Sequence, residues 1–188
     1  MTPRRVTQAQ AIAEAVRIAD ADPSATVWIG IDGPGGAGKS TLARRIADAV
    51  QRAVVVPVDE FWGPSIPEWD WDRFLDQVVR PLRNGQDARY QEWDWVIDAG
   101  GPWHDIAAGC VVVVEGVSAT RVEVDLPWAL RIWVETPRET RLERALERDG
   151  PGLMARWFDD WIPSEQAYIA GQRPRERVDL VVSGIEEL

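Results

Sequence analysis

One short stretch, Gly33 to Ser40, constrains what this chain can fold into more than any other. It reads GPGGAGKS and fits G-x-x-x-x-G-K-[ST] at every fixed position. Glycines are needed there because a side chain would block both the backbone dihedral angles and the close approach of phosphate oxygens to the N–H groups. A strand-like run, Val27 to Ile31, precedes the loop, and a helical run, LARRIADAV, follows it. The stretch therefore predicts a phosphate-binding loop and binding of a nucleoside triphosphate.

Each position of the loop has an expected task. Lys39 should reach the β- and γ-phosphates, and the Ser40 hydroxyl should bind Mg²⁺. The helix that follows directs the positive end of its dipole at the same anion. We expect ATP or GTP to contact Gly33, Pro34, Gly35, Gly36, Ala37, Gly38, Lys39, Ser40 and Thr41.

Composition excludes several classes of partner. At 188 residues and 45% hydrophobic, the chain predicts a single domain with a full core. The net charge of −10 repels nucleic acid polymers and anionic membranes, so we expect neither as a partner. The sole cysteine, Cys110, is expected to be a packed thiol and is compatible with a cytoplasmic location. We identify neither a transmembrane run nor a signal peptide.

Apolar strand-like runs alternate with helical periods along the chain, which predicts a parallel sheet covered by helices. We expect a P-loop NTPase domain of three α/β/α layers over residues 1–188, with about five parallel strands and a helical lid. The N-terminal helix lies within residues 1–22, an acceptor-site insertion at about 60–104, and the lid at about 148–157. Within the insertion, residues 86–104 are expected to be irregular. Besides the strand before the loop, the predicted strands are Val54 to Val58, Cys110 to Val114, Leu130 to Val134 and Val178 to Val182.

Acidic residues follow several predicted strands, at the sheet edge where ligands of parallel sheets gather. Asp59 is our candidate for the base that accepts the proton of an attacking hydroxyl, on a strand expected to neighbour the P-loop strand. Its alternatives are a partner of Mg²⁺ or a loop cap. Glu115, at the end of VVVVE, is a candidate Mg²⁺ partner acting through water; its alternative is a carboxylate that closes a turn. The acids at predicted strand ends are Asp32, Asp59, Glu60, Glu115 and Glu135.

Three arginines fall on one face of a predicted helix. Arg141, Arg144 and Arg148 are spaced i, i+3 and i+7. A Gly-Pro-Gly hinge and Arg156 follow, so the pattern predicts a lid that carries arginines over the triphosphate. A solvated, salt-bridged helix is the alternative.

Tryptophan is concentrated in the predicted insertion. Six of the eleven tryptophans are Trp62, Trp69, Trp71, Trp93, Trp95 and Trp103. Aromatic faces stack flat groups, and carboxylates such as Asp70, Asp72 and Asp94 accept hydrogen bonds from hydroxyls, so we expect the acceptor to bind here. The alternative is that these tryptophans cover the core of the insertion. His104 is expected to be a polar loop residue.

Several segments together resemble the uridine kinase branch of the P-loop kinases. They are IGIDGPGGAGKSTLA, VVPVDEFW, EWDWDRF, RNGQDARYQEWDW, VVVVEGVSA, ETPRETRLERALERD and RPRERVDLVVSG, in the order of that family. The resemblance implies phosphorylation of a 5′-hydroxyl, with Asp59 as general base and Arg144 and Arg148 as lid arginines. It makes Asp70 the acid that holds the ribose hydroxyls, with Asp72 as the alternative. It also places Trp93 beside the nucleobase of the acceptor. Together with these, the acceptor-binding candidates are Asp59, Phe61, Trp62, Asp94 and Arg156.

The chain departs from that family at two points. Asp98 stands where the family has a histidine that reads the pyrimidine, and Asp149-Gly150-Pro151-Gly152 replaces its Arg-Gly-Arg lid tip. We therefore expect an ATP-dependent kinase of a small-molecule hydroxyl, with a nucleoside as the first candidate. The alternatives are a sugar, a pantothenate-like metabolite or an antibiotic as acceptor, or a regulatory nucleotide-binding protein without turnover. The sequence indicates no particular oligomeric state.

Overall fold

The computed structural model describes residues 2–66 and 69–185, and in this part of the chain a parallel sheet carries helices on both faces. Glu68, in the EWDWD segment, lies outside the described residues. The strands are β1 Arg4–Val6, β2 Val27–Asp32, β3 Ala53–Pro57, β4 Ala88–Asp94, β5 Ala99–Ile106, β6 Val111–Glu115, β7 Trp128–Glu135 and β8 Leu180–Ser183. The main sheet has the order β1-β8-β7-β2-β6-β3, and β4 pairs with β5 in a separate hairpin.

Helices connect these strands and cover the main sheet. They are α1 Gln8–Ala21, α2 Lys39–Ala49, α3 Trp71–Phe74, α4 Arg80–Arg83, α5 Arg138–Asp149, α6 Met154–Arg156, α7 Ile162–Gln172 and α8 Pro174–Arg177. Short 3-10 turns occupy Val58–Phe61 and Pro151–Leu153. No helix among the described residues is long and apolar enough to cross a membrane.

Strand β6 shows why the sheet is buried on both faces. Its side chains alternate between the two main core clusters: Val111 and Val113 pack with α1 and α2, and Val112 and Val114 pack on the opposite side. A strand covered on both faces needs apolar residues at every position, which explains the unbroken valine run. Cys110, just before this strand, is buried as expected, and burial raises the pKa of its thiol to about 11.

The predicted α/β/α class is confirmed, with one correction to the strand count. The main sheet has six strands within residues 2–66 and 69–185, where about five were expected. The additional strand is β1, which pairs with β8 through only three residues. Two of these residues are arginines, so no apolar alternation marks the strand in the sequence.

The expected position of the Asp59 strand was wrong. Strand β3 pairs with β6, and β6 lies between β3 and the P-loop strand β2. Asp59 itself lies in the 3-10 turn after β3 rather than at a strand tip. The order of the strands along the chain does not predict this neighbour, because β6 follows the insertion in the sequence but lies in the sheet between two earlier strands.

The expectation of irregular structure over residues 86–104 was also wrong. These residues form most of the antiparallel β4–β5 hairpin, and His104 lies on strand β5 rather than in a loop. Asp94 closes the turn by accepting hydrogen bonds from the N–H groups of Val96 and Ile97 at 2.8 and 3.2 Å. Asp98 then adopts a positive φ of 51°, a conformation that Asp tolerates better than most residues. The abundance of tryptophan and glycine hid a regular hairpin.

Two of the helical segments contain π-helical turns. Leu75–Val79 joins α3 to α4, and Trp157–Trp161 joins α6 to α7. Each π turn is followed two residues later by a proline, Pro81 or Pro163. Proline lacks the N–H of a regular helix and its ring crowds the preceding turn, so a widened turn accommodates it. The second π turn begins at Trp157, where the predicted lid of about residues 148–157 ends.

The Asp32 side chain ties the sheet edge to a loop and a helix. Its carboxylate is fully buried and accepts hydrogen bonds from the N–H groups of Gly33, Ser118 and Thr120, from the Thr120 hydroxyl, and from the Tyr168 hydroxyl at 2.6 Å. The loop after β6 and helix α7 are therefore held by one buried anion. Such an anion is stable only because every oxygen has donors.

We predict that Asp32→Asn lowers the free energy of unfolding more than Tyr168→Phe does. The amide replaces an acceptor oxygen by a donor that faces other donors, at a cost of about 3 kcal/mol or more, whereas Tyr168→Phe removes one hydrogen bond to a charged group at about 1.5–3 kcal/mol. Urea denaturation of both variants measures the difference, with Asp20→Asn on the exposed side of α1 as the charge-matched control. Equal stability of Asp32→Asn and the control would contradict the assignment.

Candidate active site

A cavity of about 910 Å³ opens at the carboxyl edge of the main sheet. The P-loop and the start of α2 line one side, from Gly35 to Thr41. The turn after β3, the loop after β6, the hairpin tip and the helices from α5 to α7 form the remaining walls. Ligand sites of parallel sheets are expected at this edge. The residues from Gly35 to Thr41, predicted from the sequence to bind the phosphates of the nucleotide, therefore lie together in one cavity.

The P-loop backbone leaves no room for side chains at its tightest points. Gly33 has φ +149°, and a Cβ there would lie 2.3 Å from the carbonyl oxygen of Val134. Gly36 has φ +73°, and a Cβ there would lie 2.6 Å from the carbonyl oxygen of Arg141. Gly33 and Pro34 shape the loop from below and do not line the cavity, whereas Gly35 to Thr41 do.

Lys39 and Glu115 lie at the centre of the site. The Lys39 ammonium group donates to the Pro34 carbonyl at 2.9 Å and is 7% exposed. Glu115 is 6% exposed, and its carboxylate lies near the Ser40 hydroxyl. Burial raises the pKa of Glu115, the nearby Lys39 charge and the Ser40 hydroxyl oppose the shift, and the Asp59 charge adds to it. A hydroxyl and a carboxylate in contact are a donor set that suits Mg²⁺.

The Asp59 carboxylate lines the cavity, and the protein atoms around it displace part of its hydration. Loss of hydration raises the pKa of its carboxyl group, the charges of Lys39 and Arg148 lower it, and the charge of Asp149 raises it further. A carboxylate with a raised pKa is a better proton acceptor than an ordinary surface aspartate. Asp59 therefore lies where a base is needed and has the properties of one.

Two of the three arginines of α5 contact the P-loop, and the third lines the cavity. Arg141 donates to the Gly35 carbonyl at 3.1 Å, and Arg144 donates to the Gly36 carbonyl at 3.3 Å. Arg148 pairs with Asp149 and lies 5.9 Å from the centre of the Trp157 ring. Arg144 and Arg148 line the cavity. The face predicted from spacing alone is thus directed at the phosphate-binding side.

Tryptophans form a connected wall along the cavity. Trp62 meets Trp95 edge to face at 5.4 Å, Trp95 meets Trp161 at 6.3 Å, and Trp161 meets Trp157 at 5.3 Å. The Trp95 indole N–H donates to the backbone carbonyl of Asp59 at 3.3 Å. A flat group packed against Trp95 would therefore lie beside Asp59.

Most of the other predicted acceptor residues have structural contacts away from the cavity lining. Phe61 is fully buried between Phe74 and Tyr90. Asp70 caps helix α3, and Asp94 closes the hairpin turn. Also outside the lining are the exposed Asp72, Trp93, whose N–H donates to Asp98, and Arg156, which pairs with Asp160 at 3.9 Å.

A polar cluster connects the hairpin to the turn that carries Asp59. The Tyr90 hydroxyl donates to Glu60 at 2.5 Å, and His104 contacts Glu92 at 2.7 Å. The ligand atoms of Glu60, Glu92 and His104 lie within 4.8 Å of one another, a spacing that a metal ion could use. Each carboxylate already has a protein partner, so we assign the cluster to fixing the hairpin against the turn.

Sequence reasoning missed a group of cavity residues on the far wall. They are Ser118, Arg121, Trp157, Trp161, Glu165, Tyr168 and Gln172. Arg121 packs on the Trp71 ring at 3.7 Å and pairs with Glu123 at 3.0 Å. The sequence carried one usable signal: Trp157, Trp161 and Glu165 recur every four residues, a spacing typical of one helix face. Glu135, by contrast, pairs with Arg5 and Arg175 outside the cavity lining.

Comparison with known proteins identifies the family. A family model described as an AAA domain matches residues 29–155. A uridine kinase of Halobacterium salinarum is 30% identical over 181 aligned positions, covering 82% of this chain and 78% of that protein. The chain belongs to the uridine kinase-like P-loop kinases.

Solved structures show the same fold. A structure named "Possible Uridine Kinase", from Bacillus stearothermophilus, has a TM-score of 0.64 at 16% identity and covers 92% of this chain and 99% of that one. A protein of Silicibacter sp. TM1040, named provisionally as a fructose transport system kinase, has a TM-score of 0.61 at 20% identity and covers 94% and 98%. Uridine kinase-like P-loop kinases thus share this architecture with a protein named for a sugar.

The raised pKa of Asp59 leads to a stability prediction for this uridine kinase-like chain. A group whose folded-state pKa is raised supports the fold below its unfolded pKa and loses that support as the pH rises through its folded value. Asp59→Asn should therefore melt at a higher temperature than the wild type at pH 8, and the gain should disappear at about pH 4 and below. Thermal denaturation across this pH range measures it. A lower melting temperature at pH 8 would show that the Asp59 charge stabilises the fold.

Proposed function

We propose that this protein transfers the γ-phosphoryl group of ATP to a hydroxyl of a small molecule, with a nucleoside such as uridine or cytidine as the first candidate. The observation that carries the proposal is the placement of Asp59, Lys39 and a tryptophan wall in one cavity. A phosphate site, a base and a surface for a flat acceptor are the parts that such a transfer needs. A reducing cytoplasm suits the buried free thiol.

The donor side acts by positioning and charge. Backbone N–H groups of the loop and the Lys39 ammonium hold the phosphates, while Arg144 and Arg148 balance charge that develops during transfer. Ser40 and Glu115 fit a Mg²⁺ ion, which would neutralise the β- and γ-phosphate oxygens when bound. GTP would meet the same phosphate contacts as ATP.

The acceptor side acts through Asp59. A hydroxyl placed beside it donates its proton to the carboxylate while the hydroxyl oxygen bonds to the γ-phosphorus. The bond from that phosphorus to the bridging oxygen breaks, and the nucleoside diphosphate leaves. The raised pKa of Asp59 favours this proton transfer. Trp95, whose indole N–H donates a hydrogen bond to the backbone carbonyl of Asp59, positions the flat part of the acceptor.

A kinase for another hydroxyl compound is the second candidate. Asp98 replaces the histidine that the uridine kinase family uses for the pyrimidine, and here its carboxylate accepts hydrogen bonds from Trp93 and Ser65. It therefore supports the hairpin turn rather than the cavity. A panel of nucleosides, sugars, pantothenate-like metabolites and aminoglycosides, with γ-labelled ATP, separates the two candidates. ADP formation that no acceptor stimulates would instead favour a regulatory nucleotide-binding protein.

We predict that Asp59→Asn lowers kcat at least a hundredfold and leaves ATP affinity near the wild-type value. The asparagine keeps the shape of the side chain but cannot accept the proton, and general-base catalysis contributes about 10²–10⁴-fold. Steady-state transfer to the best acceptor and calorimetric ATP binding measure the two quantities, with Asp20→Asn as control. Loss of ATP binding together with activity would assign Asp59 a structural role.

We predict that Trp95→Ala raises KM for the acceptor about tenfold or more and leaves KM for ATP within about twofold. Stacking on an aromatic side chain contributes about 1–3 kcal/mol per flat group. Trp103→Ala, on the exposed side of β5, is the matched control. An equal rise in KM for ATP would mean that Trp95 supports the whole cavity rather than the acceptor.

A further inference from the structure

Glu165 places a carboxylate directly on the P-loop. One of its oxygens accepts a hydrogen bond from the Gly35 N–H at 2.6 Å, and the residue is 5% exposed. Gly35 belongs to the loop whose N–H groups are arranged for anions. A buried carboxylate in this position is negatively charged where the phosphates of a nucleotide must come.

An arginine completes the contact. The other oxygen of Glu165 lies 3.1 Å from Nη1 of Arg141, and the same Nη1 donates to the carbonyl of Gly35 at 3.1 Å. Both backbone groups of Gly35 are therefore engaged by one Glu–Arg pair. The pair joins three elements, since Arg141 lies on α5 and Glu165 on α7.

One further observation indicates that the contact is not fully satisfied by protein groups. Nε of Arg141 is buried and has no hydrogen-bond partner among the described residues. Buried donors of this kind are uncommon and call for an explanation. Lys39 is turned onto the loop, where it donates to the Pro34 carbonyl. A phosphate oxygen arriving at the loop would give the Lys39 ammonium group an alternative acceptor.

The contact also depends on the glycine. A Cβ at Gly35 would lie 2.6 Å from the Trp157 ring and 3.5 Å from the Glu165 carboxylate. The lid side of the cavity is thus packed onto the loop at this one residue. A side chain at Gly35 would push the Trp157 ring away, whereas its Cβ would make only an ordinary van der Waals contact with Glu165.

We propose that Glu165 is an internal competitor of nucleotide phosphate, an autoinhibitory contact that the triphosphate must displace. It occupies an anion-binding N–H of the P-loop and pairs with Arg141, so nucleotide binding requires that the carboxylate be released. The inference rests on the proposed function only in that the P-loop binds a nucleotide. Tyr168 and Gln172, on the same helix α7, also line the cavity.

Glu165→Gln tests the proposal, because it keeps the shape of the side chain and removes its charge. We expect the Kd of the non-hydrolysable analogue AMP-PNP, measured in the presence of Mg²⁺, to fall about tenfold. The Kd of inorganic tripolyphosphate should fall similarly. Binding of adenosine, which carries no phosphate, should not change. Isothermal titration calorimetry measures all three without any need for an acceptor or for turnover.

Glu143→Gln is the matched control, since it removes the same charge from the exposed side of α5 and should change Kd less than twofold. Glu165→Asp, whose shorter side chain loses its reach to Gly35, should also tighten binding and serves if Glu165→Gln melts early. Unchanged or weaker AMP-PNP binding in a folded Glu165 variant would overturn the proposal and make Glu165 a positioning residue for the loop. Wild-type protein that binds no triphosphate would instead contradict the proposed function itself.

Discussion

The buried positive charge of Lys39 is the interaction on which the rest of the site depends. The charge of Asp59 raises the pKa of Glu115, and for both carboxyl groups Lys39 is the leading opposing charge. Without that ammonium group, the loss of hydration at the two carboxyl groups would favour their protonation. A triphosphate brings more negative charge to the same place, which explains why the arginine face of α5 is directed at the loop.

The order of the strands determines where each of these groups lies along the edge of the sheet. Neighbouring strands β2, β6 and β3 lead in turn to the P-loop, to Glu115 and to the turn with Asp59. The phosphate loop, the carboxylate proposed to bind the metal ion and the proposed base therefore follow one another along the edge. Asp32 and the Glu60 cluster hold the loop after β6 and the hairpin against this edge.

Patterns that depend on local geometry could be predicted from the sequence. The P-loop, the valine strands and the arginine face of α5 all follow from backbone periodicity or fixed spacing. The position of β6 between β2 and β3, the hairpin, and the contact of Glu165 with Gly35 depend on residues far apart in the chain. The acceptor candidates Asp70 and Asp94 differ for a local reason: they accept hydrogen bonds from backbone N–H groups nearby, a use that composition does not distinguish from ligand binding.

A crystal structure with AMP-PNP, Mg²⁺ and the best acceptor from the panel tests the central claim most directly. Catalysis by Asp59 predicts that the acceptor hydroxyl lies about 2.6–3.2 Å from its carboxylate, with the flat part of the acceptor against Trp95. An acceptor bound away from the cavity, with Asp59 in contact only with the metal ion, would contradict it.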